Sequence, residues 1–136
     1  MLEYHKMTEE EKYCIARWKY PGEYAIYNSL SYEEQKKRGF GFANPENHLY
    51  SFYDGKELVG FINLNGEDPG VFFGIGVNPD CCGKGYGQQM TRTAWEISQT
   101  LFPGKPMYLE VRTWNQRAIR CYDCLLYTSD AADDLT

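Results

Sequence analysis

Between Gly70 and Leu101 the chain reads GVFFGIGVNP, then DCCGKGYG, then QQMTRTAWEISQTL. An apolar stretch ends at a proline, glycines recur at alternate positions, and a helical pattern follows without a break. The first part is strand-length and rich in β-formers, and Pro79 terminates it because proline cannot donate to a ladder. Gly74 and Gly76 are unusual inside a strand and predict a bulge or a close backbone approach. Met90, Ala94, Ile97 and Leu101 recur at helical spacing, which predicts an amphipathic helix from about 85 to 102 with these residues as its core stripe. A strand led through glycines onto a helix N-terminus brings unpaired amides and the positive end of the helix dipole to one place. Such a turn suits an anion. Two familiar phosphate loops are excluded, however: Lys84 is followed by Gly85 and not by Ser or Thr, and Gln88 stands where a dinucleotide fingerprint needs its third glycine.

The rest of the chain supplies the partners of this unit. Thr8-Glu-Glu-Glu11 is a capping box that predicts a helix from about 9 to 18, and Ser31-Tyr-Glu-Glu34 predicts a second over 32–38, stopped by Gly39 and Gly41. Between them WKYPGEYAIYN holds Trp18, Tyr20, Tyr24 and Tyr27 around a Pro21-Gly22 turn, an aromatic loop that either covers the core or lines a pocket. HLYSFYDGKELVGFINLN is two β-rich runs about Asp54-Gly55, a hairpin. MYLEVRTW, 107–114, reads as a strand, and NQRAIRCYD, 115–123, opens a helix on the N-cap Asn115. The order is β-α-α-β-β-β-α-β-α without internal repeat. It describes an α/β (α+β) domain with an antiparallel first half and a strand-helix-strand crossover in the second.

Composition narrows the class of partner. With 136 residues the chain holds one domain, and a net charge of −5 argues against nucleic acid, whose phosphates need clustered Lys and Arg. No stretch approaches the length of a membrane span and MLEYHKMTEEE resembles no signal peptide, so the expected setting is cytoplasmic. Five cysteines, two of them adjacent, form a poor disulfide framework and read as reduced thiols. No metal is expected: Cys121 and Cys124 have ligand-like spacing, but no second such pair exists and the histidines are His5 and His48.

The residues Val77, Pro79, Gly83, Gly85 and Gly87, in the pattern V-x-P-x-x-x-G-x-G-x-G, are followed by L-E-V-R-x-x-N-x-x-A-I-x-x-Y from Leu109 to Tyr122. Together these blocks resemble the GNAT N-acetyltransferase superfamily over about residues 1–123. The resemblance implies a mixed sheet whose central parallel strands, 70–78 and 107–113, splay to admit acetyl-coenzyme A as co-substrate. It implies that backbone groups of Ile75, Gly76 and Val77 pair with the pantetheine arm. The turn Cys82, Gly83, Lys84, Gly85, Tyr86, Gly87 and Gln88 would hold the pyrophosphate, Cys82 standing where the family usually has Arg or Gln. Asn115 resembles a contact to the cofactor arm, and Tyr122 matches the tyrosine that protonates the departing thiolate. Glu110, 12 residues before Tyr122, resembles the general base of ribosomal-protein alanine N-acetyltransferases. The implied reaction is direct attack by the primary amine of a small molecule or peptide, and a homodimer is compatible with it. A non-catalytic acyl-coenzyme A-binding or regulatory module of the same fold is the alternative.

From Cys124 the string CLLYTSDAADDLT shows no strand-like alternation and resembles the translation of a sequencing transposon adapter. The expectation is therefore a domain over 1–123 whose two closing strands are missing, an artefactual tail from about 124, and impaired activity as a result.

Overall fold

The computed structural model describes residues 2–22, 25, 28–66 and 70–108. Strands β1 (Glu3–Lys6), β2 (His48–Asp54), β3 (Glu57–Gly66), β4 (Val71–Val77) and β5 (Met107–Tyr108) form one sheet in that order. The first three pairings are antiparallel, and β4 with β5 is parallel, at Val71↔Met107 and Phe72↔Tyr108. A parallel pair needs a crossover, and helix α3 (Tyr86–Leu101) provides it. Helices α1 (Glu9–Ala16) and α2 (Tyr32–Arg38) fall between β1 and β2, giving the mixed architecture that the order of elements predicts. The continuation of strand 107–114, the helix 115–123 and the tail lie outside the described residues, as does the expected splay beyond Phe72.

Alternation along β3 divides the interior in two. Ile62 and Leu64 join Phe52, Phe73, Met90 and Ala94 under α3, while Phe61, one residue out of phase, packs with Met7, Ile15, Tyr32 and Phe42 under α1 and α2. Both predicted caps form. Thr8 and Glu11 make the reciprocal capping box of α1, and the Ser31 hydroxyl accepts from the Glu34 amide at 3.2 Å. Helix α1 ends at Ala16, short of the expected 18, and the freed Trp18 ring lies against Phe61 with 6.3 Å between centroids.

Two expectations need correction. The buried residues of α3 are Met90, Thr91, Ala94 and Ser98, and Ile97 packs against the same core as expected, whereas Leu101 is 37% exposed. The helix stops there and Phe102 packs against the core in its place, over Gly66 and edge-on to His48. Thr91 and Ser98 tolerate burial because their hydroxyls donate back to Gly87 and Trp95 carbonyls at 2.7 and 2.8 Å. Nor does β4 bulge at Gly74 or Gly76: its ladder with β3 runs in register from Gly66↔Val71 to Gly60↔Val77. The bulge lies between β2 and β3, where Phe52 pairs with Gly60 and Tyr53 with Leu58, leaving Val59 as the extra residue.

Candidate active site

Chain direction changes sharply after β4. The Asn78 side chain accepts from the Asp80 amide at 2.9 Å and donates to the Leu58 carbonyl at 3.1 Å, and the Cys81 amide bonds back to the Asn78 carbonyl at 2.7 Å. Pro79–Cys81 therefore form one tight 3-10 turn that ends on Cys82. Cys81 is buried, and that burial, with Glu57 nearby, pushes its thiol pKa up. The Cys82 sulfur sits 3.6 Å from the Asn78 carbonyl oxygen, turned toward the turn's own backbone.

Gly83 and Gly85 follow with φ of 83° and 80°, the left-handed region that favours glycine, and nothing lies within 4 Å of where a Cβ would stand on either. Space is thus open on the side where the backbone is most approachable. Gly85 is the N-cap of α3 and brings no side chain to its first amides. The other helices behave differently. Helix α1 carries the Thr8 cap and Glu9, Glu10 and Glu11 in its first turn, α2 the Ser31 cap with Glu33 and Glu34; the first turn of α3 holds no acidic residue. Its dipole and its orphan amides, Tyr86 to Gln88, remain available to an external anion. Lys84 and Gln88 are exposed beside them. The Tyr86 hydroxyl is committed elsewhere: it donates to Asp54 at 2.6 Å, a bond that with partial desolvation pushes its pKa up to about 12. Its side chain thus ties α3 to the β2–β3 hairpin, and only its amide is left for a ligand.

At the end of β4 the direction of each peptide group follows from two bonds. The Asn78 amide reaches the Val59 carbonyl at 2.8 Å on the β3 side, whereas the Val71 amide reaches Pro106 at 2.8 Å on the β5 side. Alternation then turns the peptide groups of Phe73, Ile75 and Val77 away from β3 and those of Gly76 toward it. Of the three residues expected to meet a cofactor arm, Ile75 and Val77 turn their N–H and C=O away from β3, and Gly76 turns its own toward β3. The lack of a side chain at Gly76 has a local cause: a Cβ there would strike the Phe61 ring.

Three further residues define this region. The Tyr20 hydroxyl donates to the Val77 carbonyl at 2.9 Å, and the Tyr20 amide donates to the Asn28 carboxamide at 2.7 Å. Sequence reading places Tyr20 only in an aromatic loop, since nothing in the local pattern indicates a partner 57 residues away. Asn63, paired with Gly74 on the α1–α2 face, has a buried Oδ1 without a hydrogen-bond partner among the described residues. Tyr122, Glu110 and Asn115 lie outside the described residues, as do Glu23, Tyr24 and Tyr27. A separate groove of about 760 Å³ lies near β1 and β2, lined by Lys6, Glu9, Lys12, Tyr32 and Lys36 among others. It holds none of the residues that the motifs single out. Among the described residues no helix is long and apolar enough to cross a membrane, and no group of three or more His, Cys, Asp or Glu could hold a metal ion.

A strand, a glycine turn open to solvent and an uncapped helix N-terminus recur in known proteins. The model of the Acetyltransferase (GNAT) family matches residues 9–125. The chain belongs to this family. No curated protein sequence matches it. Among solved structures, this GNAT domain is similar to a chimera of the spermidine N-acetyltransferase SpeG from Vibrio cholerae and hSSAT, with a TM-score of 0.71 and 20% identity over 90% of this chain and 77% of that one. A dodecameric form of the Vibrio cholerae spermidine N-acetyltransferase gives 0.68 and 18%, covering 90% and 76%. The ribosomal-protein-S18-alanine N-acetyltransferase from Escherichia coli gives 0.67 and 18%, covering 92% and 76%. At these identities the likeness establishes the fold.

Proposed function

We propose that the chain is a cytoplasmic N-acetyltransferase that uses acetyl-coenzyme A and moves the acetyl group to a primary amine by direct attack. The observation that carries this reading is the N-terminus of α3, which alone among the described α-helices has neither a side-chain cap nor a first-turn carboxylate. A cradle of this kind fits the pyrophosphate of the coenzyme. Amides from Gly83 to Gln88 would bond its oxygens, each contact near the dipole contributing about 0.3–1 kcal/mol, and Lys84 would add charge. Ile75 and Val77 would pair through their backbones with the pantetheine amides, and an amide there would polarise the thioester carbonyl. Cys82, turned away, would contribute its backbone only.

Attack requires a neutral amine, and the departing thiolate requires a proton. We assign the proton to Tyr122, removal of the amine proton to Glu110, and a contact with the coenzyme arm to Asn115, each from its place in the second motif. The acceptor would enter past the segment between α1 and α2, whose aromatic residues suit a cationic amine or a peptide N-terminus. A homodimer is compatible with this arrangement. The reading is tested by thiol release from acetyl-coenzyme A across a panel of amines that includes spermidine and an alanine-terminated peptide. Amine-dependent release is expected, lowered at least tenfold in Tyr122→Phe with coenzyme binding unchanged. Release that no amine accelerates would refute the catalytic assignment.

A further inference from the structure

Tyr20 holds the carbonyl of Val77, the last residue of β4, from the side of the strand that faces away from β3. It comes from the segment between α1 and α2, which is braced by one internal bond and held nearby at one other point. Its own amide is bonded to Asn28, and Trp18 rests on the Phe61 ring that covers Gly76. One carbonyl oxygen thus joins the acceptor-side segment to the strand that is to carry the coenzyme arm. An arm lying along β4 as an additional strand would bring an amide N–H to that same oxygen, within the plane of the sheet.

We propose that Tyr20 is a positioning residue that occupies the Val77 carbonyl in the free protein and yields it to the pantetheine amide. This rests on the acetyl-coenzyme A reading given above. Exchange of one donor for another leaves the carbonyl satisfied in both states, so β4 never exposes an unpaired acceptor. It also releases Trp18, Lys19 and Tyr20 when the coenzyme enters, so that these residues take their working position only on the loaded enzyme. Coenzyme binding is then opposed by the bond it must displace.

The sign of the expected effect separates this role from a structural one. Acetyl-coenzyme A titrated calorimetrically into the full chain and into Tyr20→Phe should bind the variant about three- to tenfold more tightly, the worth of one hydrogen bond removed from the competing state. A purely structural tyrosine would give equal or weaker binding, and either result overturns the proposal while leaving the coenzyme reading intact. Binding by neither protein overturns both. If Tyr20→Phe folds poorly, hydrogen exchange on the natural chain decides: amides from Trp18 to Gly22 should exchange faster at saturating acetyl-coenzyme A, and unchanged or slower exchange overturns the proposal.

Discussion

Glu11 receives the Thr8 amide, the Ser51 hydroxyl and His5 Nε2 at 2.8 Å each and the Tyr53 hydroxyl at 2.5 Å. Burial alone would raise its pKa, but these bonds together outweigh burial and hold it at about 2, down from 4.5. Tyr53 moves the other way, pushed up to about 12 by burial and then by its bond to the carboxylate. A depressed carboxyl contributes stability that is complete above pH 4.5 and is lost as pH falls toward about 2. Glu11→Gln should therefore lower stability at pH 7 by about 2 kcal/mol and flatten the acid limb of a urea-midpoint profile between pH 5 and 2. The capping box was legible because its partners lie three residues apart. The donors from β2 were not, because they meet Glu11 only after α1 docks on the sheet. Asn63 gives the opposite expectation: Asn63→Leu removes a buried acceptor that has no partner among the described residues and should raise the unfolding midpoint by a few degrees, on the order of 1 kcal/mol.

Elements were legible in proportion to how local their causes are. The boundaries of α2 and α3 follow capping residues and glycines, so 32–38 and 85–102 were read within a residue of Tyr32–Arg38 and Tyr86–Leu101. The stripe of α3 was misplaced at its end because periodicity cannot tell that Phe102, beyond the helix, takes the place given to Leu101. Likewise the glycines of β4 were read as a bulge or a close backbone approach; there is no bulge, and Gly76 is required by an aromatic ring on the neighbouring strand. Gly76→Ala should therefore cost about 2–4 kcal/mol in denaturant unfolding, since Phe61 must leave a position that Trp18 and Phe42 also hold. Gly74→Ala, which meets only ordinary contacts near 3.6 Å, should cost less than 1 kcal/mol.

At the scale of the whole molecule, the sheet places the open ends of β4 and of α3 side by side. Both cores lie behind them, under α3 on one face and under α1 and α2 on the other. The glycine turn leading onto the N-terminus of α3 was legible because its causes lie in consecutive residues. The bond from Tyr20 to the end of β4 was not, because its partners lie 57 residues apart. On the proposed reading, the uncapped N-terminus of α3 holds the phosphates of the coenzyme. This reading is tested most directly by calorimetric titration of coenzyme A into the unsubstituted chain and into Gly85→Val, whose β-branched side chain cannot keep φ at 80° without strain. One-to-one binding in the micromolar range is expected for the unsubstituted chain, weakened about tenfold or more in the variant. Equal affinities for the two proteins, or no saturable binding by the unsubstituted chain at millimolar coenzyme, would contradict it.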